Sequence, residues 1–327
     1  MSGALDTLLD RAIVPGYSRF GFRLRRRSWP EGGAYARLDG QTVVLSGATS
    51  GLGRAAALEL VALGARLVLL VRSRERGEQV RAELARTGGP GAEARVELVL
   101  GDLGDLSSVR AAAAELLARE APVDVLINNA GVMPPQRTLS PDGIELTLAT
   151  NVVGPFLLTN LLEPSLEHAA RAHPGRGRVI IVSSGGMYGQ RIHLDDLEMS
   201  HEPYSGVTAY ARSKRAQVIL TELWARRWAD AGLGVHAMHP GWADTEGVRE
   251  SLPRFYRLTA PLLRSPAEGA DTIVWLAGAP AAALGSGDFW HDRERRPRHL
   301  LARTRESPAD REALWERLCA LSGWSAA

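Results

Sequence analysis

From Gln41 onward the chain alternates short runs in which nearly every residue is apolar with longer stretches in which apolar residues return every three or four positions. The runs "TVVLS" at 42–46, "RLVLLV" at 66–71, "RVELVL" at 95–100, "VDVLINN" at 123–129, "RVIIVSS" at 178–184 and "GVHAMHP" at 234–240 are of the first kind. Between them "GLGRAAALELVALG", "ERGEQVRAELART" and "LSSVRAAAAELLARE" carry the helical period. A strand that is apolar on both sides cannot face water with either, so the pattern predicts a parallel sheet covered by helices on both faces. The expected fold class is α/β, a doubly wound parallel sheet of Rossmann type in a single domain over residues 41–290. Residues 1–40 read as an N-terminal extension: Leu5, Leu8, Leu9 and Ile13 have helical spacing, and "GYSRFGFRLRRRSW" interleaves aromatics with arginines. Residues 291–327 read as a charged tail running over the surface and a last helix around Arg311 to Leu321.

With 45% hydrophobic and 23% charged residues the chain has the composition of a folded globule. A formal net charge of +2 gives no case for nucleic acid as a partner. The only cysteine, Cys319, has no internal disulfide partner, which points to a reducing, cytoplasmic setting and to a packed place in the C-terminal helix. There is no apolar run long enough to span a bilayer and no basic leader followed by an apolar core, so neither a spanning helix nor a signal peptide is expected. The basic N-terminal stretch leaves peripheral membrane contact open. Of the 39 lysines and arginines only Lys214, in "AYARSKRAQ", is a lysine. Where arginine serves at every other cationic position, a lone lysine marks a place that arginine cannot fill.

The loop "SGATSGLG" follows the first apolar run and opens the first helical stretch, with Gly47, Gly51 and Gly53 in a GxxxGxG pattern. Glycines there let the backbone turn tightly and approach a pyrophosphate, whose charge sits at the helix N-terminus; Ser50 and Leu52 complete the loop. The second run ends at Arg72, where an NAD enzyme would carry an acid for the ribose hydroxyls. A guanidinium favours the 2′-phosphate instead, so the expected cofactor is NADP(H) in preference to NAD(H).

This loop, "GDL" at 101–103, "NNAG" at 128–131, "VSS" before "YARSK", and "HPGWADT" at 239–245 form an ordered series. Together they resemble the short-chain dehydrogenase/reductases over 41–290, and "GQRIHLDDL" with the long gap before "YARSK" resembles the retinol-dehydrogenase-like branch. The resemblance implies that Asp102 and Leu103 flank the adenine, that Asn129, Ala130 and Gly131 line the ribose, that Pro240 and Gly241 bring backbone to the nicotinamide, and that Thr245 binds its carboxamide. Two departures stand out: Ser46 where the family has threonine, and 26 positions from Ser184 to Tyr210, more than many members have.

A carbonyl/alcohol interconversion needs a proton donor or acceptor beside the reacting oxygen. Tyrosine serves poorly unassisted, with a reference pKa of about 10. Tyr210 and Lys214 lie four apart on one predicted helix face, which supplies a nearby cation, and Lys214 would also bond the nicotinamide ribose. By resemblance Ser184 bonds the substrate oxygen, Ser183 is structural, and Asn151 in "ATNVVGPF" holds a water that links Lys214 to solvent. Trp242, Phe255, Tyr256, Leu262 and Leu263 near the family's lid point to a small apolar carbonyl compound or its alcohol. No metal-ligand grouping is visible, and His239 reads as a packing residue. A non-catalytic NADP(H) sensor on the same fold is the alternative, against which the intact Asn151, Ser184, Tyr210 and Lys214 set weighs. The long helices around Asn151 and Tyr210 pair copies in many family members, which leaves a homo-oligomer open.

Overall fold

The structure, a computed structural model, describes residues 6, 9, 12–30, 35–201 and 203–325. Leu5 and Leu8 of the expected N-terminal stripe lie outside the described residues. Eight strands form one sheet: β1 Thr42–Ser46, β2 Arg66–Val71, β3 Val96–Leu100, β4 Val125–Asn128, β5 Arg178–Val182, β6 Gly234–Met238, β7 Asp288–His291 and β8 Glu294–Arg296. Their order is β3-β2-β1-β4-β5-β6-β7-β8, parallel throughout except for the last pair, which is antiparallel. The chain steps outward from β1 to β3 and then returns to β4 on the other side of β1. That reversal opens a crevice at the carboxyl ends of β1 and β4, where ligands bind in open α/β sheets.

Two short helices, α1 (Ile13–Tyr17) and α2 (Arg19–Arg26), precede the sheet. Along it follow α3 (Gly51–Ala62), α4 (Arg74–Thr87), α5 (Leu106–Leu117), α6 (Gly154–Leu161) and α7 (Gly206–Arg227). After β6 come α8 (Glu246–Ser251), α9 (Pro253–Thr259) and α10 (Pro266–Gly278), and after β8 comes α11 (Pro308–Ser322). Strand alternation divides the core. Val43 and Leu45 of β1 pack with Leu60 of α3 and Ile273 of α10, whereas Val44 faces the side that holds Val109 of α5, Phe156 of α6 and Trp224 of α7. Every residue of β1, β4 and β5 is buried, which is why their sequences are continuous apolar runs.

The charged stretch after Trp290 runs over the surface in part, with Glu294, Arg295, Arg303 and Arg305 exposed, and enters the interior in part. His291 and Asp292 are fully buried, and Glu294–Arg296 adds the eighth strand. Farther on, Glu306 forms an ion pair with Arg215 in which both side chains are enclosed. These charges enter the interior because each has a partner within hydrogen-bond reach. Asp292 is the clearest case. Its Oδ2 accepts from Arg25 Nη1 at 2.8 Å and from Arg264 Nη2 at 2.9 Å, and its Oδ1 pairs with Arg264 Nη1. The same two guanidiniums donate to the carbonyl of Gly16, at 2.9 and 3.0 Å. The N-terminal helices, the segment ahead of α10 and the β7–β8 turn are thereby tied at one point.

The helix α11 lies across α6 and α7. Trp315 meets Phe156 edge to face at 4.9 Å, Leu314 and Leu318 are fully buried, and Arg227 covers the Trp315 ring at 4.0 Å. A Gly323 in the left-handed conformation ends the helix, and a Ser307–Asp310 capping box begins it.

Three histidines sit wholly inside: His236, His239 and His291. Burial, with arginines nearby, pushes His236 and His291 down to about 3, and burial together with the His291 ring pushes His239 well below its ordinary value. All three are neutral in the folded chain and take up protons on unfolding once the pH drops below about 6.5. Their stability contribution is therefore present above that pH and lost as the pH falls, with a limiting slope of about 1.4 kcal/mol per pH unit for each. The thermal midpoint is expected to drop by several degrees between pH 7 and pH 5, and less so in His236→Gln. A flat midpoint over that range, measured by circular dichroism, would contradict the burial of these rings.

Candidate functional site

The crevice begins at the turn out of β1. Gly47 and Gly51 have φ of +70° and +51°, a conformation that side chains other than glycine rarely adopt. Gly53 has a different reason: a Cβ there would stand 2.1 Å from the carbonyl oxygen of Gly47, so α3 can start this close to β1 only with a bare Cα. Ser50 is the N-cap of α3 but gives it no side-chain bond. The helix thus presents uncapped N–H groups over a glycine floor, a fit for a pyrophosphate. Leu52 anchors the loop from below, reaching Gly269 of α10, and a Cβ on Gly51 would touch Thr245 at 3.3 Å.

Ser46 ties this turn to the one after β4. Its hydroxyl accepts from the N–H groups of Asn129 and Ala130, both at 3.1 Å, and donates to the carbonyl of Ile127. Asn129 answers by donating its amide to the carbonyls of Ser46 and Gly47. A serine is sufficient here because only the hydroxyl is used. Leu103 is buried under Gly154 at the start of α6, while the Asp102 carboxylate accepts from the N–H of Gly104 and shapes its own loop. Arg72 stands exposed just past β2, with no ion-pair partner among the described residues.

On the far side of the crevice four of the residues singled out from the sequence come together. Lys214 of α7 is buried and donates to the carbonyl of Val182 at 2.8 Å, with its Nζ 5.2 Å from the Tyr210 ring centre. A Cβ on Gly131 would lie 3.5 Å from Lys214 Nζ and 3.3 Å from Asn151 Oδ1, which puts these groups around one bare glycine. Ser184 shares a hydrogen bond with the Tyr210 side chain and accepts from the N–H of Gly186. Its neighbour Ser183 points the other way and donates to the carbonyl of Lys214, holding α7 against β5.

Asn151 lies in a π-helical segment, Ala149–Val153, that leads into α6. Such bulges break the regular ladder and leave carbonyls for other partners. Here the Asn151 carbonyl accepts from Gln217 Nε2 at 2.7 Å. The Asn151 side chain is committed too: Oδ1 accepts from the N–H of Val132, and Nδ2 donates to the carbonyl of Val132 and to Ser213 Oγ. Ser213 and Gln217 therefore belong to the frame of the site. Sequence reading passed over them although both share a helix with Tyr210 and Lys214.

The electrostatics of the protein alone are dominated by burial. Burial pushes the Tyr210 hydroxyl up to about 12, with the Ser184 hydrogen bond pulling weakly downward. The same desolvation brings Lys214 down to about 7. The expectation that the lysine field would acidify the tyrosine is outweighed here, because the enclosure that brings the pair together also disfavours both charged forms.

Beyond the nicotinamide end that the resemblance assigned, Gly241 has φ of +72° and no room for a Cβ, which would meet Arg264 Nε at 2.5 Å. The carbonyl of Pro240 accepts from Arg264 Nη1, and Thr245 Oγ1 accepts from the N–H of Val248 to cap α8. His239 is a packing residue, stacked on His291 at 3.8 Å. Tyr17 contacts this loop as well, which no signal in its local sequence announces. Among the described residues no group of three or more metal-ligating side chains is present, and no helix is long and apolar enough to cross a membrane.

Comparison with known proteins places this geometry. A family model described as short chain dehydrogenase matches residues 41–254. Dehydrogenase/reductase SDR family member 12 of Bos taurus is 41% identical over 302 residues, 92% of each chain. A Streptomyces sp. (strain C5) protein described as a candidate daunorubicin C-13 ketoreductase is also 41% identical, over 83% of this chain and 88% of its own. Retinol dehydrogenase 14 of Mus musculus is 37% identical over 89% of each. Among solved structures, a Mycobacterium paratuberculosis protein without an assigned activity superposes with a TM-score of 0.69 at 32% identity, covering 88% of this chain and 96% of its own. A candidate NAD(P)-dependent gluconate 5-dehydrogenase from Beutenbergia cavernae, solved with NADP at low occupancy, gives 0.61 at 30% identity, covering 78% and 96%.

If the glycine turn holds the dinucleotide, Gly53→Ala should weaken NADPH and NADH binding about tenfold or more, because the new methyl group meets backbone that cannot move aside. Gly189→Ala, where a Cβ meets open space, is the control. Fluorescence titration of the reduced cofactors reads both, and equal affinities in the two variants would remove the turn from the binding site.

Proposed function

The chain belongs to the short-chain dehydrogenase/reductase family, and on that premise we propose that it is an NADP(H)-dependent oxidoreductase that interconverts an apolar ketone or aldehyde and its alcohol. The observation that carries the reading is the gathering of Ser184, Tyr210, Lys214 and Asn151 beside the glycine turn. The names of two relatives, a ketoreductase and a retinol dehydrogenase, describe carbonyl and alcohol chemistry and support the substrate class. Trp242 and Phe255, perpendicular at 5.1 Å and half-buried, give the mouth an apolar rim. Arg72, exposed just past β2 and with no ion-pair partner among the described residues, supports the preference for a 2′-phosphate.

The bound nicotinamide supplies the hydride, and the protein manages the proton. In the reducing direction the Tyr210 hydroxyl, kept protonated by its burial, donates to the carbonyl oxygen as that oxygen gains charge. Ser184 donates a second hydrogen bond to the same oxygen. Lys214, which donates to the Val182 carbonyl and stands 5.2 Å from the Tyr210 ring centre, would hold the cofactor ribose with its remaining hydrogens. Asn151 acts through the Val132 backbone and Ser213, fixing the wall behind the lysine.

Incubating the purified protein and NADPH with aldehydes, ketones, retinoids and steroids tests the reading; no cofactor oxidation with any of them would favour a cofactor-binding sensor. Tyr210→Phe is expected to keep NADPH affinity and lose roughly 10²–10⁴ in turnover. Ser184→Ala should cost about 3 kcal/mol in the transition state, while Ser183→Ala costs folding stability instead. Lys214→Arg should be nearly as damaging as Tyr210→Phe, since a wide planar guanidinium does not fit the space the ammonium takes beside Gly131 and cannot titrate. Arg72→Asp should lower kcat/KM for NADPH much more than for NADH; an unchanged ratio would refute the cofactor preference.

A further inference from the structure

The two N-terminal helices, which the proposed reaction does not use, are built with two unlike sides. A Cβ on Gly21 would stand 2.5 Å from the carbonyl oxygen of Pro15, so α1 and α2 lie in backbone contact. The inner side of this pair is committed to the fold: Ser18, Gly21, Phe22 and Arg25 are buried, with Phe22 edge-on to Trp29 at 5.5 Å and beneath Arg264 at 5.3 Å. The outer side of α2 carries Phe20, Arg23, Leu24 and Arg27, which share one helical face and are all exposed. Phe20 is 61% exposed, and α1 adds Ile13 at 49% and Val14 at 52%. Four of the eleven large apolar residues exposed among the described residues thus fall between positions 13 and 24, a clustering that singly scattered surface residues do not show. The charge is as one-sided. Residues 13–29 hold five arginines and no acid. Arg25 is spent on Asp6 and Asp292, and Arg23 reaches Glu268, whereas Arg26 and Arg27 stand exposed with no ion-pair partner among the described residues.

We propose that the outer face of α1 and α2 is a docking surface for anionic lipid, on which the protein rests peripherally. Ile13, Val14, Phe20 and Leu24 would enter the boundary between headgroups and acyl chains, while Arg26 and Arg27 meet lipid phosphates above it. A nucleic acid would match the arginines and offer the aliphatic side chains nothing apolar to enter; a lipid surface takes both. The inner side, tied through Arg25 to Asp292, presents the face already ordered, so that docking loses little backbone freedom. The carbonyl of Tyr17, at the end of α1, accepts from the N–H of Trp242 at 2.8 Å, which joins this surface to the loop that carries the apolar rim of Trp242 and Phe255.

The test is co-sedimentation of the purified full chain with vesicles of phosphatidylcholine alone and of phosphatidylcholine mixed with phosphatidylglycerol, at low and at raised salt. Binding to the mixed vesicles is expected to be about tenfold or more tighter than to phosphatidylcholine alone, and to weaken as salt rises. Phe20→Ser combined with Leu24→Ser, and separately Arg26→Glu combined with Arg27→Glu, should each lower the affinity for mixed vesicles about tenfold or more. Leu117→Ser, which removes an exposed leucine from α5, should hold it within about twofold. The altered side chains lie outside the core, so thermal midpoints are expected to match the wild type; should the serine pair not fold, Ile13→Ser combined with Val14→Ser takes its place. No binding to either vesicle, equal binding to both, or an unchanged affinity in either double variant overturns the proposal. So does a loss in Leu117→Ser as large as in the double variants, or binding of an RNA fragment with none to the mixed vesicles. The assay contains neither cofactor nor ketone, and its result is independent of the oxidoreductase reading.

Discussion

One carboxylate, Asp292, ties together three parts of the chain that are far apart in sequence. It is fully buried and its proton affinity is driven far below the usual carboxylate range, chiefly by the Arg264 charge against the cost of burial. Without it Arg264 would be a buried guanidinium with no carboxylate, a loss of several kcal/mol, and Arg25 would keep only Asp6. Through Arg25 it fixes the N-terminal helices, through Arg264 the approach to α10, and through its own backbone the turn between the last two strands. Arg264 donates to the Pro240 carbonyl and fills the space a Cβ on Gly241 would take, so this loop inherits its position from the ion cluster.

Five of the six strands legible in the sequence are buried on both faces over nearly all their residues, where apolarity is demanded at almost every position; β3, at the sheet edge, keeps Glu97 half-buried and Leu100 exposed. The glycine turn and the Tyr210–Lys214 pair were legible for a related reason: each function is compressed into one turn of backbone or one helix face. The strands β7 and β8 were not. "DFWH" is too short to separate from a loop, and "ERR" looks like solvated tail until Arg296 is seen buried, bonded to Asp6. Contacts such as Arg25 with Asp292 join residues 267 positions apart, and no local pattern carries them. The π-helical segment at Asn151 is a matter of hydrogen-bond register, which side-chain periodicity does not report.

The candidate site combines two demands that pull against each other. Setting the buried Lys214 beside the half-buried Tyr210 lets them communicate, yet burial disfavours the charge on each. The protein meets the second demand with backbone: the Val182 carbonyl holds the lysine head, and the bare face of Gly131 leaves it space. Glycine recurs at Gly47, Gly53, Gly131, Gly185 and Gly241 for one shared reason, that a methyl group at each would enter occupied or functional volume.

The helix α11 gives the chain a particular order of events during synthesis. Phe156, Trp224 and Trp228 lie on α6 and at the end of α7, and the residues that cover them, Leu314, Trp315 and Leu318, leave the ribosome only after both helices have emerged. Until then the outer aromatic faces of the elements that carry Asn151 and Lys214 are open to water and to other nascent chains. A segment made after α6 and α7 thus supplies the cover for both. A chain released early would hold every residue named for catalysis and lack the cover that keeps those residues from aggregating.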